Sequence, residues 1–221
     1  MDTKEAIKLR HSVRKYTTKP IQGETLKHLL DEIKVCVYES GLNIRLIKDE
    51  PKAFGGFIPG YGIFKNVKNY IILSGSKTDD LDEKAGWYGE RIVLKATQLG
   101  LDTCLVGLTF KKGIAKNYVK DGNKIICVIA VGYGENHGVP HKSKTPDKVC
   151  ILNEKPPKWF KEGINAALLA PTAVNQQRFK FFLNGNNVRA VSTGGFYSKV
   201  DLGIVKYHFL IGAGEENFNW E

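Results

Sequence analysis

Arg10, Ser12 and Arg14 alternate along the stretch Arg10-His11-Ser12-Val13-Arg14-Lys15-Tyr16. In an extended chain, alternate side chains share one face. That face carries two guanidinium forks and a hydroxyl, a donor set suited to a phosphate or another oxyanion. Lys142 and Lys144 also stand two apart, between Pro140 and Pro146, and offer a second basic contribution to such a site. Pro171-Thr172-Ala173-Val174-Asn175-Gln176-Gln177 follows an apolar helical stretch that Pro171 breaks. Its hydroxyl and three amides suit a ligand that both donates and accepts, such as a heterocycle edge or a polyol. Residues 103–108 are apolar with Gly107 among them, and glycine there lets something flat or bulky approach the backbone closely.

These segments need elements to hold them. Residues 2–9 read as a short helix with Ala6, Ile7 and Leu9 inward, which places the basic stretch. Residues 24–38 carry Leu26, Leu29, Leu30, Ile33 and Val37 at helical spacing. Short strands are predicted at 43–48 and 67–74, and a helix at 79–99 that Gly100 stops. Residues 125–131 are the most apolar run and read as a central strand. After Pro156-Pro157 come a helix at 158–169, a hairpin of 178–183 and 188–192 around a turn at 184–187, and a last helix at 201–211. The loop at 51–62, with Phe54, Phe57 and Tyr61, packs on the core or borders a ligand pocket.

With 221 residues, 42% of them hydrophobic, the chain can bury a core as one domain or two closely packed halves. The net charge of +10 suits an anionic ligand, nucleic acid or an acidic membrane surface. The basic residues are scattered rather than gathered on one helix or arm, which weighs against nucleic acid. Cys36, Cys104, Cys127 and Cys150 are far apart, with neither C-x-x-C nor a histidine at ligand spacing. Metal and disulfide-framework readings are therefore disfavoured, and four buried thiols in a reducing compartment are expected. No signal peptide and no apolar run approaching ~20 residues is found, so no membrane association is expected and the location is read as cytoplasmic.

A faint internal repeat is visible. Gly89 and Gly100 are eleven apart around one apolar helix, as are Gly203 and Gly214 around another. Two copies of a helix-plus-sheet unit would account for this, at 1–152 and 153–221, forming one integrated unit. Only the first has the R-x-S-x-R stretch and the Lys-Ser-Lys loop. Only the second has the Pro-Thr-Ala-Val-Asn-x-Gln turn, so a complete ligand site needs both.

Taken together, these segments resemble the flavin-dependent nitroreductase family. Arg10-His11-Ser12-Val13-Arg14 resembles its N-terminal FMN-binding motif, and Ala170-Pro171-Thr172-Ala173-Val174-Asn175-Gln176-Gln177 its A-P-S-x-x-N-x-Q motif. Gly100-Leu101-Asp102-Thr103-Cys104-Leu105-Val106-Gly107 resembles its G-L-G-T-C-W-x-G segment. Gly132-Tyr133-Gly134 with Lys142-Ser143-Lys144 resembles its turn and basic phosphate loop. The order departs from ordinary members, in which the A-P-S-x-x-N motif comes first. It matches a fused branch in which two degenerate halves form a pseudo-dimer within one chain. Arg178-Phe179 replaces the usual Pro-Trp, and Leu105 a frequent Trp.

The resemblance implies an α+β fold of two degenerate halves, each with a small, mostly antiparallel sheet packed by helices. It implies that Arg10, Ser12, Lys142 and Lys144 hold the FMN phosphate, with His11 in the same motif, and that Arg14 reaches the pyrimidine end of the ring. There a cation favours the charge of reduced flavin. Pro171, Thr172, Ala173, Asn175 and Gln177 would line the ring from the other half. Leu105, Val106 and Gly107 would pack on it. No side-chain acid, base or metal is implied. NAD(P)H would reduce the flavin, and a nitroaromatic, quinone or enone would reoxidise it. The alternative is a flavin-storing or flavin-sensing protein without turnover. A monomeric pseudo-dimer holding one FMN is expected, and a homodimer of such chains is compatible with it.

Overall fold

In a computed structural model, residues 1–54, 64–152 and 155–221 are described. The first part contains α1 (Thr3–Leu9), α2 (Gly23–Ser40), β1 (Asn43–Ile47), β2 (Tyr70–Gly75), α3 (Leu81–Gln98), β3 (Asp102–Val106), α4 (Lys112–Lys116) and β4 (Lys124–Gly132). The second contains β5 (Cys150–Ile151), α5 (Lys158–Ala167), β6 (Phe179–Asn184), β7 (Asn187–Ser192), α6 (Ser198–Ala213) and β8 (Asn219–Trp220). The expected α+β class is what the chain adopts.

One sheet has the order β1-β2-β4-β3 and is antiparallel throughout. Its inner strands β2 and β4 are buried along almost their whole length, as a run without polar alternation requires. The other sheet, β5-β6-β7-β8, is built on the antiparallel β6-β7 hairpin, with a two-residue parallel strand on each side. The helices end where glycine takes the left-handed region: Gly41 after α2 (φ 69°) and Gly100 after α3 (φ 74°).

Between the sheets α3 crosses α6 backbone to backbone. A Cβ on Gly86 would stand 2.0 Å from the Val200 carbonyl oxygen, and a Cβ on Gly203 2.0 Å from that of Glu83. The two contacts are reciprocal, since each glycine meets the residue three positions before the other. Gly89, which the sequence aligns with Gly203, is not part of this crossing and admits Leu73 of the sheet instead. The largest hydrophobic cluster joins Ile71, Ile92 and Ile129 to Phe160, Phe181 and Phe209, so a single core runs across both parts. Stacked and edge-on rings of Phe160, Phe181, Phe209 and Phe218 fill its second end.

Local departures from the sequence expectations have local causes. Leu9 is 50% exposed, not inward, because it lies two residues past Ile7 and so turns away from the face on which Ala6 and Ile7 meet Leu94. Cys150 is only half-buried, on the short edge strand β5, whereas the other three cysteines are buried; all four are free thiols. Strand β2 begins at Tyr70 instead of residue 67. Phe54 is buried against Tyr70, while Phe57 and Tyr61 lie outside the described residues. No helix among the described residues is long and apolar enough to cross a membrane.

The α3–α6 contact is made by backbone atoms and cannot relax by a side-chain rotation. Overpacking costs ~1–3 kcal/mol or more, and each ~1 kcal/mol moves Tm by about 2–4 °C at this size. Gly203→Ala should lower Tm by at least about 5 °C in a thermal melt. Gly113→Ala, where a Cβ meets nothing within 4 Å, should not lower it.

Candidate functional site

The Arg10–Tyr16 stretch is extended and is pinned at several points. The Val13 N–H donates to the Thr103 carbonyl (2.9 Å), the Tyr16 N–H to the Lys65 carbonyl (3.0 Å), and the Lys65 N–H to the Arg14 carbonyl (2.9 Å). The Tyr16 hydroxyl, buried, donates to the Val13 carbonyl at 2.7 Å, and burial pushes its pKa well up. With Val13 and Tyr16 inward, Arg10, Ser12 and Arg14 all face one cavity, as the alternation predicts.

Arg10 is nearly enclosed. Its Nε lies 3.7 Å from Glu90 of α3, and its terminal nitrogen reaches the Leu169 carbonyl at 3.5 Å. Burial lowers its pKa, opposed chiefly by Glu90. Glu90 is fully buried and also meets Nε2 of His208 on α6 at 2.7 Å. The Nε atoms of Arg10 and Arg14 are both buried without a hydrogen-bond partner. Both guanidinium groups line the one cavity, so a ligand that accepts hydrogen bonds and carries negative charge suits it.

The opposite wall is the turn after α5. Val174, Asn175 and Gln177 all have positive φ (46°, 53° and 46°), an uncommon conformation and an adverse one for β-branched valine. Two clamps hold it. Asp201, in the first turn of α6, accepts from the Ala173 N–H (2.9 Å) and from Nε2 of Gln176 (2.7 Å). The Lys142 carbonyl accepts from both Asn175 and Gln177 side chains at 2.9 Å, while Gln177 in turn accepts the Lys144 N–H at 2.8 Å.

The cavity between these walls measures ≈ 440 Å³ and adjoins a smaller one of ≈ 80 Å³. Arg10, His11, Pro140 and Asn175 line the larger; Leu105, Gly107 and Ala173 line the smaller; Ser12, Arg14, Pro171, Thr172 and Val174 belong to both. His141 also lines the larger, its Nε2 3.0 Å from the Leu168 carbonyl, and burial lowers its pKa. A larger cavity of ≈ 580 Å³ lies near Cys150, Phe160 and Ile164, but it is mostly apolar and has no arginine in its lining. The donor set therefore locates the site better than size does.

Four predicted residues stand behind the cavity surface. Val106 is core. Gln177 is buried and spends its amide on the 142–144 loop. The Lys144 ammonium bonds the carbonyls of Gln176 and Gln177 at 3.0 and 2.8 Å, and Lys142 contributes its carbonyl. The flat group that Gly107 admits is the ring of Tyr197, 2.7 Å from where a Cβ would be. The Tyr197 hydroxyl sits 2.9 Å from the carbonyl oxygens of both Gly107 and Ile126. Sequence reasoning missed Glu90, Asp201, Phe196 and Tyr197; a charged residue within each apolar helix was the available signal for the first two. No cluster of groups able to hold a metal occurs among the described residues.

A family profile described as "Putative TM nitroreductase" matches residues 2–213. A crystal structure described as a putative nitroreductase from Thermotoga maritima MSB8 is 25% identical, with TM-score 0.66, over 98% of this chain and 85% of that one. One from Desulfovibrio desulfuricans, described as a putative nitroreductase in complex with FMN, is 16% identical with TM-score 0.55, over 71% of this chain and 98% of that one. A nitroreductase family protein from Streptococcus pneumoniae TIGR4 is 15% identical with TM-score 0.53, over 69% and 98%. The last two likenesses establish fold alone. No curated protein matches the chain.

Burial raises the Asp201 carboxyl to about 6, against the two hydrogen bonds that favour its ionised form. The folded state thus holds this proton more tightly than the unfolded state does. Asp201 should therefore remove stability as pH rises through the window from about 4 to about 6, by on the order of 2–3 kcal/mol, with no further change above it. Comparing wild type with Asp201→Asn in urea unfolding from pH 4 to 7 checks this: that slope should vanish in the variant.

Proposed function

Because the chain belongs to the nitroreductase family whose profile spans residues 2–213, we propose that it is an FMN-dependent oxidoreductase passing reducing equivalents from NAD(P)H to an electron-poor acceptor. One observation carries this reading. Arg10, Ser12 and Arg14 line a cavity whose other wall is a turn of hydroxyl and amide groups held in left-handed backbone. That donor set fits a flavin mononucleotide, which has an anionic end, a polyol and a ring edge that both donates and accepts. The volume is within the range of about 300–1,000 Å³ of small-molecule sites.

Arg10 and Ser12 would bind the phosphate, at the buried end where Glu90 fixes the guanidinium. Arg14 would lie against the pyrimidine edge, where a cation favours reduced flavin. Thr172 and Asn175 would meet the ring edge or the ribityl hydroxyls. Lys142 and Lys144 would act from behind, by holding the 171–177 turn in shape. When bound, the flavin supplies the hydride chemistry, and the protein's part is to bind, orient and shield it.

The order helix, strand, strand, helix occurs as α2-β1-β2-α3 and again as α5-β6-β7-α6, and the reciprocal Gly86 and Gly203 contacts relate the two. This supports a fused pseudo-dimer of two degenerate halves. The basic stretch comes from one half and the amide turn from the other, so one FMN per chain is expected.

Purified protein should be yellow, or take up FMN at one equivalent per chain, and bleach on anaerobic addition of NAD(P)H. Protein that stays colourless with FMN present would refute the reading. Bound flavin that never turns over with quinone or nitrofuran acceptors would indicate a storage or sensing role instead. Arg10→Ala should weaken FMN binding by about 1.5–3 kcal/mol, the loss of a hydrogen bond to a charged group, in an equilibrium titration.

A further inference from the structure

Three of the exposed large apolar side chains among the described residues lie together at the same cavity. Leu108 (54% exposed), Val174 (68%) and Phe196 (46%) all line its smaller chamber. Isolated exposed hydrophobics are ordinary, but several around one polar cavity mark a binding surface. Phe196 differs from the other two in being rigidly placed. Its carbonyl accepts from Nε2 of Gln176 at 2.7 Å, and its ring lies edge-on to Tyr197 with centroids 4.5 Å apart. Tyr197 is itself wedged on Gly107 and bonded across to the first sheet. The chain reaches this position through Gly194 and Gly195, with φ of 90° and 109°, where any side chain is strained.

We propose that Phe196 is the specificity-determining residue for the electron acceptor, offering a preorganised aromatic face on which a flat, uncharged ring compound stacks. The proposal rests on the flavin reading above and extends it to the second substrate. Arg10, Ser12 and Arg14 give the cavity its polar groups, while Leu108, Val174 and the Phe196 ring give the smaller chamber apolar surface. A planar ring loses little conformational entropy there and gains both buried area and a ring–ring contact. A compact, highly charged acceptor such as ferricyanide gains neither. Leu105 lines the same chamber, and Phe196 supplies an aromatic surface from a different element.

Calorimetric titration of the FMN-loaded protein with menadione, without NAD(P)H, reads acceptor binding apart from turnover. Phe196→Ala should weaken menadione binding about tenfold, and Phe196→Tyr should restore it to within about twofold. In steady-state assays the menadione-to-ferricyanide ratio of kcat/KM should fall about tenfold in Phe196→Ala, through KM rather than kcat. Equal menadione affinity in wild type and Phe196→Ala would overturn the proposal, as would failure of Phe196→Tyr to rescue. Should the wild type bind no FMN, the flavin reading falls, but the calorimetric comparison on the FMN-free chain still decides whether Phe196 is a ring-binding face.

Discussion

Two glycines, Gly86 and Gly203, let α3 and α6 touch along their backbones, and both walls of the cavity hang from that contact. From α3, Glu90 reaches back to Arg10 and fixes the basic stretch. From α6, Asp201 reaches the turn at Ala173 and Gln176 and fixes the amide wall. Further ties seal the pair: Lys206 to Glu83 at 2.6 Å, Trp87 edge-on to Tyr207, and His208 to Glu90. A side chain at either glycine would separate the helices and move the two walls apart together.

The protein accepts local costs at this place and offsets them nearby. Burying a carboxylate is expensive, and Glu90 is tolerable because a guanidinium and an imidazole flank it. Left-handed backbone at Val174 is unfavourable, and hydrogen bonds donated to Asp201 and to the Lys142 carbonyl hold the segments on either side of it. Nε of Arg14 and Oε2 of Glu90 are left buried without a hydrogen bond. Departures of this kind from local rules concentrate where a protein binds something.

Much of the site was legible in the sequence because its signals are local. Alternation placed Arg10, Ser12 and Arg14 on one face, and Pro171 with the residues after it marked a polar turn. The helices and strands followed from periods of 3.6 and 2 and from glycine stops, which depend only on neighbours along the chain. The expectations that slipped, the facing of Leu9 and the start of β2, lie where a single turn or residue decides which face is buried.

The pairings were decided only in three dimensions. Tyr197 and Gly107 are 90 positions apart, and nothing near Gly107 in the chain says that its flat neighbour is a tyrosine of this protein. Lys144 and Gln177 carry suitable groups for a ligand, yet they satisfy each other, because the fold brings the two loops within hydrogen-bond reach. Residue type and spacing determined which groups were available and which way each segment turned. Which groups meet depended on the crossing of α3 and α6, a geometry summed over the packing of the whole chain that no local stretch encodes.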